Sequence, residues 1–190
     1  MIGVLALQGD VAEHSRLIRQ AGGEVCPVRR PRELAGLAGL IIPGGESTTI
    51  GKLLVAFDLY DELRGAIKEG LPVLGTCAGL IMLADTIVGG TEDQRTLGGI
   101  DMVARRNAFG RQVDSFEADL AVRGLDDPFR AVFIRAPWVE RVGSGVEVLA
   151  EYEGHPVAVR QGSLWATSFH PELAGDPRIH AAFLSATAVQ

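Results

Sequence analysis

One cysteine of the sequence stands in a setting typical of catalytic nucleophiles. Cys77 lies in the segment Gly75-Thr76-Cys77-Ala78-Gly79, the cysteine form of the G-x-S-x-G turn between a strand and a helix. Such a turn is strained and holds the side chain at a helix N-terminus, whose dipole favours a thiolate over a thiol. Because free cysteines are often buried in protein cores, the alternative is a packing role for Cys77.

A thiolate nucleophile needs a base, and His170 is the strongest candidate for that role. It follows the apolar run 164–169, and Glu172 is near enough in sequence to orient one imidazole nitrogen while the other faces the sulfur. The alternative is that the His-Pro-Glu segment has only a structural role, as a turn. The remaining histidines are predicted to be solvated surface residues: His14, His155 and His180.

Acyl transfer also needs hydrogen-bond donors for the developing oxyanion. One is expected to be the backbone N–H of Ala78, and the second is expected from the glycine-containing turn 43–47, in which we assign Gly45. A phosphate-binding loop is excluded there, because five residues separate Gly45 from Gly51 and Leu53 replaces the magnesium-binding Ser or Thr. The turn is suited instead to a carboxamide or carboxylate.

Composition limits the setting in which this chemistry takes place. The chain has 190 residues, of which 47% are hydrophobic and 22% charged, so a disordered chain is excluded. The net charge of −6 argues against nucleic acid or an anionic membrane as a partner. Its two cysteines form no CxxC pair, so a structural zinc site lacks support, although a single disulfide stays open. No leader and no apolar stretch of ~20 residues is evident, and we predict a cytoplasmic protein.

The elements that must position these residues alternate between strand and helix in the first half of the chain. Asp10 is the expected N-cap of the first helix, and Pro27 places the second strand at an edge or a strand end. The predicted elements of this half are strands at 2–7, 24–28, 40–42 and 72–74, one long helix from a cap at Ser47, Thr48 or Thr49 to Ile67, and a helix over 78–87.

Short strand-like runs dominate the second half, before a last helix at about 177–188. The predicted strands are 100–105, 131–134, 146–152, 157–160 and 163–169. The whole pattern predicts a single α/β domain over residues 1–190. Its central sheet should be mostly parallel and flanked by helices, with an antiparallel β extension.

The motifs together resemble a known family. The segments at 44–47 (GGES), 75–80 (GTCAGL) and 168–172 (SFHPE) are similar to those of class I (triad) glutamine amidotransferases, which have a flavodoxin-like fold. More specific segments resemble the glutaminase subunits of pyridoxal 5′-phosphate synthase; they lie at 7–9, 43–49, 106–112, 114–117 and 133–137. The resemblance runs from Gly3 to about Glu172. No role is assigned to residues 89–96 or 173–190.

The resemblance implies a role for each matching residue. Cys77 would be the nucleophile that attacks the side-chain amide of glutamine, His170 the general base and Glu172 its orienter. The positions implied to bind L-glutamine are Gly45, Glu46, Ser47, Arg106, Ile134 and Arg135. Either arginine could hold the α-carboxylate of the substrate and Glu46 its α-ammonium group, although a surface ion pair is the alternative for each arginine.

The resemblance also implies a partner. Ammonia released here would pass to a separate (β/α)₈-barrel synthase subunit, in a complex of twelve synthase and twelve glutaminase chains, and no metal or organic cofactor is implied. Gln8, at the carboxyl end of the first strand, is expected to sense that partner. Three alternatives stay open: the glutaminase subunit of another pathway, such as imidazole glycerol phosphate synthase, a deglycase-like cysteine hydrolase, and a non-catalytic binding subunit.

Overall fold

The computed structural model describes residues 1–91, 93–109 and 115–188. Its strands are β1 Ile2–Leu5, β2 Val25–Val28, β3 Gly39–Ile42, β4 Val73–Thr76, β5 Ala84–Val88, β6 Ile100–Arg105, β7 Ser115–Leu120, β8 Phe129–Ile134, β9 Trp138–Val142, β10 Glu147–Tyr152, β11 His155–Gln161 and β12 Leu164–Thr167. Its α-helices are α1 Val11–Gln20, α2 Ser47–Ala56, α3 Tyr60–Lys68, α4 Ala78–Leu83 and α5 Arg178–Thr187. Short 3₁₀ turns span Pro31–Leu34 and Pro171–Leu173.

A seven-stranded sheet with the order β10-β11-β12-β4-β3-β1-β2 forms the centre of the molecule. The five strands from β12 to β2 are parallel, whereas β11 and β10 continue the sheet in antiparallel fashion. A small mixed sheet β5-β6-β9, in which β5 is parallel and β9 antiparallel to β6, and the antiparallel β7-β8 hairpin complete the fold. The predicted α/β class with its antiparallel extension is therefore confirmed, and Pro27 lies in the edge strand β2 as expected.

Both faces of the central sheet are covered by apolar side chains. Successive residues of a strand point to opposite faces. In β3, Leu40 and Ile42 accordingly join the hydrophobic cluster that contains α2, α3 and α4, whereas Ile41 joins the cluster that contains Phe183 of α5. This double coverage explains why the central strands are continuous apolar runs rather than alternating ones.

The predicted long helix from Ser47 to Ile67 is wrong, because the chain forms two helices there. Asp58 adopts a left-handed conformation with φ of 58° and ends α2. The N–H of Leu59 then donates to Leu54 O (2.8 Å) in a Schellman-type turn. Apolar residues continue at helical spacing across the break, so hydrophobic periodicity alone does not reveal it.

The predicted helix over 78–87 is also too long. It ends at Leu83, and Ala84 is extended with ψ of 136°. The following residues form β5, which pairs in parallel with β6. Thr86, Ile87 and Val88 are β-branched residues that favour such a strand. The strands β7 and β9 were not predicted, whereas the last helix and the five strands of the second half are found close to their predicted positions.

Within the described ranges, no helix combines the length and the apolar character that crossing a bilayer would require.

Candidate active site

Residues that follow the ends of several strands meet at one rim of the sheets. β1 leads to Gln8, β3 to the turn at 44–47, β4 to Cys77 and β12 to His170. These four strands are parallel neighbours in the central sheet, so their carboxyl ends share one edge. This is where open α/β sheets place their ligands. The ends of β6 and β8 add Arg106 and Arg135 to the same cavity.

Cys77 occupies a sharp turn between β4 and α4. Its φ of 49° and ψ of −99° are unusual for a residue with a side chain, and its side chain is buried but lines the cavity. A Cβ on Gly79 would lie 2.2 Å from Ile42 O, and a Cβ on Gly75 would lie 2.5 Å from the carbonyl of Gly79. The strained turn that the sequence predicted is therefore confirmed, and the crowding of the backbone around it explains both glycines.

His170 and Glu172 form a buried hydrogen-bonded pair. A 3₁₀ turn begins immediately after His170, and it places Glu172 Oε1 2.7 Å from His170 Nδ1. Burial opposes a charge on His170, but its hydrogen bonds and charge interactions with Cys77 and Glu172 outweigh burial and raise the pKa of His170 to about 10. An imidazolium beside a cysteine is an arrangement that activates sulfur nucleophiles. Burial raises the pKa of Glu172, against the hydrogen bond from His170.

Glu46, not Ser47, Thr48 or Thr49, is the N-cap of α2. Its carboxylate accepts hydrogen bonds from the N–H groups of Thr48 (3.0 Å) and Thr49 (2.7 Å). Burial opposes its ionisation, but these bonds lower the pKa of Glu46 to about 2. Arg106 Nη2 donates to Glu46 Oε1 (2.9 Å), which holds the guanidinium at the cavity wall. The predicted ammonium acceptor and one of the two predicted carboxylate donors therefore lie side by side.

A cavity of about 380 Å³ brings the predicted residues together. This volume falls in the lower part of the range of about 300–1,000 Å³ found for small-molecule sites. The predicted site residues that line it are Gln8, Gly45, Glu46, Ser47, Cys77, Ala78, Arg106, Ile134, Arg135 and His170. Glu172 is fully buried behind His170 rather than on the wall. Of the motif segments quoted above, residues 110–112 and 114 lie outside the described residues.

Backbone strain is concentrated around this cavity. Cys77, Asn107 and Arg135 all have positive φ angles, of 49°, 47° and 41°, and all three line the cavity. Non-glycine residues in this conformation persist only where the surrounding structure holds them, and they cluster at functional sites. Arg135 is nevertheless exposed, whereas Arg106 is mostly covered.

The prediction of a solvated surface position is wrong for two histidines. His14 of α1 and His180 of α5 are both fully buried, and His14 Nδ1 lies 2.9 Å from His180 Nε2. Burial lowers the pKa of both imidazoles, to about 4 for His180. His155, the third, is half-buried and stacks on Trp138 with ring centroids 3.7 Å apart.

Two further polar residues at the site were missed by the sequence reasoning. Gln94 lies in the segment to which no role was assigned; its Nε2 donates to Ser47 Oγ (2.8 Å) and its Oε1 accepts from Arg106 Nη1 (2.8 Å). Asp10 occupies the N-cap position of α1 but makes no side-chain capping bond. Its Oδ2 lies instead 3.4 Å from His170 Nδ1. Neither residue belongs to a motif that carries a signal.

Asp10, His170 and Glu172 offer three ligand atoms within 4.8 Å of one another, which is close enough for a metal ion. His170 and Glu172 are already joined to each other by a hydrogen bond of 2.7 Å. We therefore interpret the cluster as a hydrogen-bonded histidine–carboxylate group. Cys26, the second cysteine, lies in β2 and is free, as is Cys77, so no disulfide joins them.

Comparison with known proteins agrees with this interpretation. The model of the SNO glutamine amidotransferase family matches residues 4–189. The chain belongs to this family. A pyridoxal 5′-phosphate synthase subunit PdxT from Parafrankia sp. (strain EAN1pec) is 62% identical over 184 residues, which cover 96% of this chain and 91% of that protein. The subunit PdxT of Streptomyces coelicolor (strain ATCC BAA-471 / A3(2) / M145) is 60% identical with the same coverage.

Solved structures show the fold of the family. A crystal structure described as a glutamine amidotransferase has a TM-score of 0.93 with this chain, is 53% identical and covers 98% of each chain. PurLQS from Thermotoga maritima has a TM-score of 0.70 at 17% identity, covering 97% of this chain and 96% of that one. The second likeness concerns the fold alone. The SNO family assignment thus rests on sequence and architecture together.

Proposed function

We propose that this chain hydrolyses L-glutamine to L-glutamate and ammonia, and that the ammonia serves a synthase subunit that makes pyridoxal 5′-phosphate. The observation that carries the proposal is that Cys77 and His170 share the wall of one polar cavity, with Glu172 hydrogen-bonded to His170 from behind. Family membership and the names of the PdxT relatives support the same reaction and the same pathway.

The proposed reaction proceeds through a thioester. The sulfur of Cys77 attacks the side-chain amide carbon of glutamine, and the oxyanion is held by the N–H of Ala78 and a backbone donor at Gly45. His170 protonates the leaving nitrogen, so ammonia departs and a γ-glutamyl thioester remains. His170 then takes a proton from water, which attacks the thioester and releases glutamate. Glu172 keeps the imidazole oriented through both steps.

The polar wall of the cavity suits the zwitterionic end of glutamine. Arg106 or Arg135 would bind the α-carboxylate, and Glu46 would accept from the α-ammonium group. The ionised state of Glu46 is favoured by its hydrogen bonds to the start of α2, which keeps it an acceptor at neutral pH. The backbone oxygen of Ile134 lies 4.0 Å from Cys77 Sγ, and it would lie beside the amide of a bound glutamine.

We further propose that Gln8 couples this site to the partner. Its Oε1 accepts from the N–H of Glu46 (2.9 Å), and a Cβ on Gly45 would lie only 2.3 Å from the same oxygen. Gln8 thus contacts the turn that would supply an oxyanion donor, and a shift of Gln8 on docking would move that donor. The resemblance supports a complex of twelve synthase and twelve glutaminase chains, one amidotransferase domain over residues 1–190, and a cytoplasmic location.

The test is glutamate release by the purified chain with and without its synthase subunit. Wild type should release glutamate, more rapidly in the complex, whereas Cys77→Ala should release none. An electrophilic glutamine analogue should label Cys77 and leave Cys26 unmodified. Gln8→Ala should lower the partner-stimulated rate more than the basal rate. Labelling of Cys26 alone, or activity only with the synthase of a different pathway, would overturn the proposal.

A further inference from the structure

A pair of buried histidines, His14 and His180, lies next to the His170–Glu172 pair, and the proposed mechanism does not use it. His14 of α1 and His180 of α5 are both fully buried, and their rings meet through Nδ1 and Nε2 (2.9 Å). The other nitrogen of His14, Nε2, lies 3.4 Å from Glu172 Oε2 and 3.2 Å from Thr76 Oγ1. One imidazole nitrogen therefore faces both the triad carboxylate and the residue before the nucleophile.

The carboxylate oxygen of Glu172 that His14 approaches, Oε2, is the one that His170 does not bind. Oε1 is bonded to His170, but Oε2 is buried and makes no hydrogen bond within the described part of the chain, His14 Nε2 being a contact at 3.4 Å. A buried carboxylate oxygen without a donor is costly. The Nε2 atom of His14 is the nitrogen that approaches it.

The proton positions in the pair follow from two constraints. His180 Nδ1 is buried without a partner among the described residues, and an unpaired N–H there would cost more than an unpaired lone pair. His180 therefore carries its proton on Nε2 and donates to His14 Nδ1. Because Nδ1 of His14 accepts this hydrogen bond, the single proton of the neutral His14 ring is on Nε2, which faces Glu172.

We propose that His14 is a positioning residue for the triad: its Nε2–H, 3.4 Å from Glu172 Oε2, stabilises that carboxylate oxygen electrostatically, and His180 fixes the tautomer that makes this possible. Glu172 is then restrained through both oxygens, by His170 on one side and by His14 on the other. The same N–H ties Thr76, the last residue of β4, to the carboxylate. His14 does not line the substrate cavity, and we infer that it acts through Glu172.

The proposal rests on the glutaminase function proposed above, and its test begins with steady-state glutamate release by the complex with the synthase subunit. His14→Leu should lower kcat about ten- to hundredfold, the usual effect of leaving a buried polar group unpaired, and leave KM for glutamine within about twofold. His14→Gln, which keeps an N–H donor, should recover most of the lost rate. Ile18→Ala removes a buried side chain from the same helix and serves as the matched control; it should leave kcat near the wild-type value.

A second measurement does not depend on activity. Two-bond ¹H–¹⁵N correlation spectra of the full chain report which nitrogen of each imidazole is protonated, and both His14 and His180 should carry the proton on Nε2. A proton on His14 Nδ1 would overturn the proposal even where His14→Leu does not fold. Unchanged kcat in His14→Leu, or an equal fall in Ile18→Ala, would overturn it as well. Absence of glutamate release by wild type would instead count against the proposed function.

Discussion

Lowering the pH from 7 to 5 should destabilise the folded chain through its two buried histidines, His14 and His180. Burial lowers the pKa of His180 from 6.5 to about 4, and burial with the neighbouring histidines lowers that of His14 well below 6.5. The unfolded chain binds these protons as the pH falls through 6.5, whereas the folded chain does not. Their contribution to stability is therefore fully present above pH 6.5 and is lost as the pH falls towards about 4.

The magnitude for His180 can be estimated from its shift. A change from 6.5 to about 4 corresponds to about 3 kcal/mol across the whole interval. His170 adds no slope there, because its raised pKa gives stability that is complete below pH 6.5 and is lost only towards about pH 10. The raised pKa of Glu172 increases the free energy of unfolding as the pH falls, which opposes the effect of the two histidines. The test therefore compares the pH curve of wild type with that of a variant that lacks His180.

The assay is guanidinium denaturation at a series of pH values for wild type and His180→Gln. Glutamine keeps an amide that can reach His14 but does not titrate. Between pH 6 and 5, the free energy of unfolding of wild type should fall more steeply than that of the variant, by about 1 kcal/mol per pH unit. Above pH 7 the two curves should run parallel, which is the internal control. Parallel curves over the whole range would refute the buried, neutral state of His180.

Three other outcomes are expected. His170→Asn should lower kcat for glutamate release by about a thousandfold or more, and Glu172→Gln should lower it less, since an orienting group is more replaceable than a base; equal losses would contradict these roles. Gln94→Ala should raise KM for glutamine a few-fold with little change in kcat, because Arg106 loses a partner at the cavity wall; an unchanged KM is the contrary result. Gly79→Ala should lower the free energy of unfolding by about 1–3 kcal/mol, measured by denaturation, because its Cβ would meet a backbone carbonyl; wild-type stability would contradict this.

The parts of the site that could be predicted from the sequence are those whose geometry is local. The elbow at Cys77 follows from the two glycines that must flank it, and the His170–Glu172 pair spans a single 3₁₀ turn. The parallel order of strands then brings these segments to one rim. The predicted placement was possible because each motif directly follows the strand that positions it.

What could not be predicted depends on contacts between distant parts of the chain. His14 lies on the same face of α1 as the buried Leu17 and Ile18, three and four residues on, but its polar type outweighed this spacing in the prediction. Its partner His180 is 166 residues away in the sequence, in α5, which packs beside α1. Gln94 reaches the site from a connecting segment without regular structure. The break at Asp58 depends on one left-handed residue that the apolar spacing does not register.

The position of β12 in the central sheet has a consequence for how the chain is made. This strand comes near the C-terminal end of the sequence, yet it lies between β4 and β11, and its Thr167 O accepts the N–H of Cys77 (2.8 Å). A ribosome that has produced the first two-thirds of the chain has therefore released the nucleophile without its base, on a strand whose outer edge is still open. Completion of the sheet and assembly of the triad become the same late event. Under the proposed function, an unfinished chain would expose an open β-edge and would release no ammonia until synthesis has passed His170 and Glu172.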